Sequence, residues 1–270
     1  MTYRAIIIPE QIVTPVSEPA PVIQWLKVAD LVVDERYQRP LYAANWKAIT
    51  KIATEFMWSR FSAVLVAPIE GGRYAIIDGQ HRVHAAAMRG IEQVPAMIVL
   101  IRSEEQAKAF VDVNTKTVRI HALTIYKAAL TAGDDWAVKA RDAVEAAGCT
   151  LLTRPMPLRE KKPGDLNCVA LVRDMVQAGR SDAVTISLKA LMAFEPGNPL
   201  TFSDYVLKPL ITAVASFGEV EVGLLLRTFA VKRPAAVVDA AVRYADSTGE
   251  NRAAAAKTAF RVLIKKTAEA

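Results

Sequence analysis

Along its first 120 residues the chain alternates short apolar runs with helical stripes and turn signals. Residues 22–33 read as strand material interrupted at Asp30 and Asp34. Residues 45–56 carry Trp46, Ile49, Ile52, Ala53 and Phe56 at helical spacing, which predicts an amphipathic helix with a core-facing stripe. Two strand-like runs, 61–68 and 73–77, flank Glu70-Gly71-Gly72 and predict a hairpin. Residues 81–89 read as a short alanine-rich helix closed by Gly90. The nearly unbroken apolar run 94–101 suits a buried strand. A further helix follows, with Ser103 as its cap and Glu104 and Glu105 in its first turn.

Beyond His121 the period is almost wholly helical. Residues 123–131 and 134–147 are amphipathic and separated by Ala132-Gly133, and six more helices are expected at 165–178, 181–194, 203–216, 219–229, 234–245 and 250–266. The stretch from Thr153 to Asp165 holds three prolines among Arg154, Arg159, Lys161 and Lys162, and reads as an exposed basic connector and domain boundary. The expected organisation is an extended Pro- and Glu-bearing arm (1–21), an α+β domain (22–120), a helical extension (121–153), the connector (154–164) and a helical C-terminal domain (165–270).

The chemistry concentrates at Asp78-Gly79-Gln80-His81-Arg82. A strand, a tight glycine turn and a helix start aim backbone N–H groups and the positive end of a helix dipole at one point, which makes an anion site. Arg82 in the first turn adds a fork of donors suited to a phosphate. A plainer reading stands beside this one, in which Asp78 caps the helix, Gly79 allows the turn and Arg82 is solvated.

The Gly79-Gln80-His81-Arg82 turn resembles the signature of the ParB/sulfiredoxin superfamily, in which sulfiredoxins carry G-C-H-R and ParB partition proteins G-E-R-R. Its D-G-Q-H-R form is similar to a branch that includes DndB-like and phage and plasmid proteins. The resemblance spans roughly Ile23 to Arg119. It implies a small mixed sheet with helices, to which the periodicity beyond His121 adds an all-helical C-terminal region, and a nucleoside triphosphate, ATP or CTP with Mg²⁺, held at the turn. Gln80 stands where sulfiredoxin has its catalytic cysteine, so that thiol chemistry is excluded here. Gln38 and Arg39 of Tyr37-Gln38-Arg39-Pro40 take the place of a ParB segment that contributes to the nucleotide pocket. Asn114 matches the Asn of the ParB E-N-x-x-R motif, which implies a role in holding the metal-bound triphosphate; Val113 replaces the acid of that motif and Arg119 is out of its register. An ordinary helix C-cap is the other reading of Asn114-Thr115.

Composition narrows the rest. With 270 residues, 52% apolar, the chain can bury a full core. It has no apolar stretch long enough to span a membrane and no secretory leader pattern, so the expectation is a cytoplasmic protein without membrane partners. Cys149 and Cys168 are too few for a disulfide framework or a zinc site. Residues 1–118 are nearly neutral, with 13 basic against 12 acidic groups, whereas 119–270 hold 21 against 16. A mildly basic helical half is compatible with DNA. The last helix sets Lys257, Arg261 and Lys265 at steps of four, opposite Phe260, Leu263 and Ile264, as a stripe that could track phosphates or simply face solvent.

The leading expectation is a nucleotide-binding protein of DNA maintenance, partition or defence, with DNA as a partner and a pocket of Arg39, Asp78, Gly79, Gln80, His81, Arg82 and Asn114. NTP hydrolysis would need a water-orienting acid, for which Asp78 and Glu35 are the candidates. A nuclease or kinase on the same scaffold, and a DNA-binding module with a vestigial pocket, are the alternatives. The helical half could dimerise the chain as a homodimer, bind DNA or dock another partner.

Overall fold

The computed structural model describes residues 3–7, 15–38, 40–116 and 120–270. The chain separates into two compact units, residues 1–118 and 119–270.

The first unit is built on a five-stranded mixed sheet in the order β1-β5-β3-β4-β2. Strand β1 (Val22–Lys27) pairs antiparallel with β5 (Gln93–Ile98), and β5 runs parallel to β3 (Val64–Ile69). Strand β3 forms the expected hairpin with β4 (Arg73–Asp78), which in turn pairs in parallel with β2 (Leu31–Val32). The hairpin turn falls on Gly71 and Gly72, both at positive φ (79° and 72°), where a side chain would be strained. The expected strand over 22–33 is broken earlier than its aspartates suggested, by a 3₁₀ turn at Val28–Asp30.

The period of two in β3 divides its side chains between two cores. Val64 and Val66 pack with Ile76, Val94, Ala96 and Ile98, and with Val83 and Ala86 of helix α2 (Gln80–Met88). Leu65 and Ala67 face the other way, joining Ile77 and the half-buried Phe110 and Val113 of helix α3 (Ser103–Thr115). Helix α1 (Ala43–Thr54) packs on α2 through Ile49, Ala53 and Ala85. Each fully buried Val or Ile contributes about 1.5–3 kcal/mol, so β3 and β4 are the anchor of this unit. Of the stripe predicted on α1, Ile49 and Ala53 are buried, whereas Trp46 stays 44% exposed. Helix α3 begins one residue earlier than its sequence cap implied. Arg102 occupies the N-cap, its backbone N–H donating to Glu105 Oε2 at 3.0 Å, and Ser103 is the first helical residue.

The second unit is helical, as expected. Helices α4 (Ala122–Ala132) and α5 (Asp135–Glu145) are followed by α6 (Val169–Gln177), α7 (Ser181–Phe194), α8 (Asp204–Val214), α9 (Val222–Val231), α10 (Pro234–Thr248) and α11 (Arg252–Glu269). One core runs from Leu123 and Tyr126 through Leu188, Leu207 and Phe229 to Phe260 and Ile264. The basic stretch 154–164 lies within this unit. It joins two short parallel strands, β6 (Thr150–Leu151) and β7 (Asp165–Leu166), and the Thr150 N–H donates to the Gly164 carbonyl at 2.9 Å. The residues on both sides of it share the same core, so the division of the chain falls at 118/119. No helix among the described residues is long and apolar enough to cross a membrane.

Candidate functional site

Strand β4 delivers the chain to Asp78, and the next residue turns it into α2. Gly79 takes the left-handed conformation, φ +106°. A Cβ there would stand 2.7 Å from Val64 Cγ1 and 3.0 Å from Arg82 Nη2. Both the backbone and the packing therefore require glycine. As the N-cap of α2, Gly79 brings no side chain to the first-turn N–H groups. Those donors, with the positive end of the helix dipole, are available to an anion.

Of the plainer reading of this turn, the role of Gly79 holds, and those of Asp78 and Arg82 are corrected. Asp78 is the last residue of β4 and caps nothing; its Oδ2 accepts from Arg82 Nη2 at 3.1 Å. Arg82 is not solvated either: its side chain is 25% exposed, and its Nε is buried with no hydrogen-bond partner. A buried guanidinium N–H without a partner is costly, and an incoming acceptor would relieve it.

The same arginine lines a cavity of about 350 Å³, walled by the C-terminal end of α1 and the 3₁₀ turn Trp58–Arg60. Lys51 and Arg60 join it there with Glu55, while Phe56 and Phe61 supply aromatic wall. Three cations against one carboxylate favour an anionic ligand with a flat apolar part. Lys51, Glu55 and Arg60 carry no motif in the sequence, and the packing of α1 on α2, with the Trp58–Arg60 turn that follows α1, brings them to Arg82. The first turn of α2 also meets α1 through His81, whose Nε2 lies 3.5 Å from Asn45 Nδ2. His84 packs edge-on against Trp46, with ring centroids 5.4 Å apart. Burial, and secondarily the charge of His81, hold its pKa below the usual imidazole value.

The turn before α1 is fastened to β4. Gln38 is 8% exposed, and its Nε2 lies 3.0 Å from each of the Ile76 and Ile77 carbonyl oxygens. Its amide donors are thus committed to the strand that leads into Gly79, which makes Gln38 a positioning residue of the turn. The Tyr37 ring packs on Phe110 at 5.7 Å between centroids. Arg39 lies outside the described residues. Glu35 is exposed. Its neighbour Asp34 accepts from the Arg36 Nε, Nη2 and backbone N–H, and the Arg36 side chain holds its carboxyl below the usual carboxylate range. Asn114 sits exposed in the last turn of α3, its Nδ2 donating to the Phe110 carbonyl at 2.8 Å. Thr115 bonds back to Val111 in the same way, and Lys116 is the C-cap.

No cluster of three or more His, Cys, Asp or Glu residues that could hold a metal ion occurs among the described residues. An oxygen-loving ion carried in by a triphosphate is a different case, since its ligands come largely from the phosphates. Both cysteines are buried and free, and burial pushes the thiols up, Cys149 to about 11 and Cys168 to about 12. On α11, Phe260 and Ile264 are buried in the core, with Arg261 and Lys265 exposed opposite them. Lys257 is set apart from these two, half-buried in the wall of a separate cavity.

Comparison with known proteins places the Gly79 turn inside a recognised domain. Residues 60–115 match the ParB N-terminal domain. No curated protein matches the chain. Among solved structures, the C-terminally truncated chromosome-partitioning protein ParB from Caulobacter crescentus, complexed with CTP-gamma-S, is similar at 14% identity and a TM-score of 0.35, over 80% of this chain and 96% of that one. The same protein complexed to the centromeric parS site is similar at 15% identity and a TM-score of 0.31, over 90% and 99% of the two chains. A Pnob8-like ParB-N domain is similar at 12% identity and a TM-score of 0.29, over 92% and 97%. At such TM-scores these likenesses are loose, and the family match over 60–115 is the firm finding.

Proposed function

Because residues 60–115 match the ParB N-terminal domain and contain the uncapped start of α2, we propose that this protein binds a nucleoside triphosphate at the Gly79 turn and serves DNA maintenance, as a partition or defence component of a phage, plasmid or bacterial genome. The observation that carries the reading is Arg82, a half-buried guanidinium with one nitrogen paired to Asp78 and another, Nε, buried without a partner, one turn into a helix that offers free N–H groups.

In this reading the backbone N–H groups of Gln80 and His81 and the Arg82 fork receive the phosphates, with His81 as a side-chain donor and Arg39 as a second cation. Gly79 keeps the backbone close enough for that contact. Gln38 holds the preceding strand in place. Asn114 orients the terminal phosphate or the Mg²⁺ that accompanies ATP or CTP. A phosphate that takes over Arg82 also releases the Asp78 carboxylate from its ion pair. Asp78 is then free to orient water, which gives NTP hydrolysis a structural starting point. DNA contact falls to the basic face of α11, through Arg261 and Lys265, and self-association to the helical unit.

A thermal-shift panel of ATP, CTP, GTP and UTP with magnesium, on the wild type and Arg82→Ala, tests this. A ligand that binds only the folded state stabilises it by about 2.7 kcal/mol at a hundredfold excess over its Kd. A rise in Tm with one nucleotide that vanishes in Arg82→Ala supports the reading and names the base. Flat curves with all four would reduce the turn to scaffold.

A further inference from the structure

The second unit holds a cavity of about 550 Å³ formed by α8, α10 and α11, within the size range of sites for small organic ligands. Its wall is largely apolar, from Pro209 on α8, Val238 and Val242 on α10 and Ala256 on α11. At its edge stand three cations, Lys208, Arg252 and Lys257, against a single lining carboxylate, Asp204. Hydrogen bonds brace this frame. The Tyr205 hydroxyl donates to Asp239 Oδ1 at 2.8 Å, tying α8 to α10, and Arg252 Nε donates to Asp246 Oδ1 at 2.6 Å, tying the start of α11 to the end of α10.

Arg252 is therefore partnered, and Lys208 and Lys257 are not: neither makes an ion pair among the described residues, although Asp204 lies one helical turn before Lys208. Helix α11 adds its positive end, with only the Ala254 N–H satisfied by the Asn251 side chain. An apolar chamber with uncompensated positive charge at its edge selects one kind of small molecule. A neutral apolar ligand leaves the cations unmatched, and a polyanion such as a nucleotide would desolvate several charges against an apolar wall.

We propose that this cavity binds an amphipathic organic monoanion, a carboxylate on an acyl or aryl body, with the carboxylate between Lys208 and Lys257 and the body against Pro209, Val238 and Val242. The site is independent of the Gly79 turn and would make the helical unit responsive to a small acid. It also gives Lys257 a role distinct from the exposed Arg261 and Lys265 further along α11.

The test is calorimetric titration of the full chain with decanoate below its micelle-forming concentration, 2-naphthoate, decanol and decyltrimethylammonium. One or both carboxylates should bind well above decanol, with the quaternary amine weakest; decanoate against 2-naphthoate then separates a flexible acyl from a flat aryl body. Lys208→Gln/Lys257→Gln should weaken the carboxylate about tenfold, the scale of a charge-assisted contact, and leave decanol unchanged. Val242→Trp, at a half-buried position of the wall, should block both. No carboxylate binding, equal binding of all four compounds, or carboxylate binding indifferent to the double lysine substitution would overturn the proposal. The lysine variants change only side chains at the cavity edge, so the outcome does not depend on Val242→Trp folding.

Discussion

Val64 Cγ1 lies 2.7 Å from where a Cβ on Gly79 would stand, so a fully buried valine of β3 sets what residue can begin α2. Gly79→Ala meets two penalties: a left-handed backbone that costs about 1–3 kcal/mol for other residues, and overpacking worth about 1–3 kcal/mol more. Chemical denaturation should show a loss in that combined range. Gly79→Ala/Val64→Ala should lose less than the sum of the single variants, because the clash is shared while the backbone strain remains. Strict additivity would mean that the contact does not matter.

Asp78 and Arg82 are partners before any ligand arrives. Asp78→Asn keeps the shape and removes the competing charge, so nucleotide affinity should hold or rise. If Asp78 orients water, turnover should fall sharply in the same variant. A loss of affinity with unchanged turnover per bound nucleotide would reverse those roles.

Gln38 joins the turn before α1 to the end of β4 through two carbonyls. Gln38→Leu leaves both without that donor, and removing one partner of a buried hydrogen bond costs about 1–3 kcal/mol. Urea unfolding should register that cost, and at temperatures where the variant stays folded its nucleotide affinity should fall far less than in Arg82→Ala.

His84 gives the first unit a pH dependence. Its folded-state pKa is lowered, by burial first, below the usual value of 6.5. The unfolded chain therefore takes up the proton first. The stability tied to neutral His84 is fully present above pH 6.5 and is lost as pH falls through the lowered folded-state value. Tm measured from pH 7.5 down to pH 5 should decline, and His84→Gln should flatten part of that decline. Identical profiles for the two proteins would remove His84 as its source.

Both thiols report on the second unit alone, since Cys149 and Cys168 are the chain's only cysteines and both are buried. A thiol reagent added to the folded protein at neutral pH should react slowly, and denaturant should release both groups. Fast labelling of the native chain would contradict the packed core around them.

Much of this architecture was legible from periodicity. The hairpin about Glu70-Gly71-Gly72, the helix after Gly79 and the six helices beyond residue 164 follow from local pattern and turn chemistry, and each formed close to its expected place. The turn itself was legible because glycine at positive φ and an arginine one turn later leave a local mark. Features set by tertiary contacts were not. Nothing in the sequence near Lys51 or Arg60 marks them as neighbours of Arg82. Likewise, Asp78 was expected either to cap α2 or to serve in catalysis, and its pairing with Arg82 depends on where β4 ends. The basic stretch 154–164 looked like a boundary because prolines and charges mark loops, and the pairing of β6 with β7 holds that loop within one unit. Spacing gave Lys257, Arg261 and Lys265 one stripe, but the packing of α8 against α11 sets Lys257 apart.

The central claim is that the Gly79 turn and Arg82 hold phosphate. Its most direct measurement is a calorimetric titration, with magnesium, of a nucleoside triphosphate and of the bare nucleoside of the same base, on the wild type and Arg82→Ala. The expected result is tight binding of the triphosphate alone, weakened tenfold or more by Arg82→Ala as the loss of a charge-assisted contact, with the nucleoside weak in both proteins. Equal affinity for triphosphate and nucleoside, or a triphosphate affinity indifferent to Arg82→Ala, would contradict it.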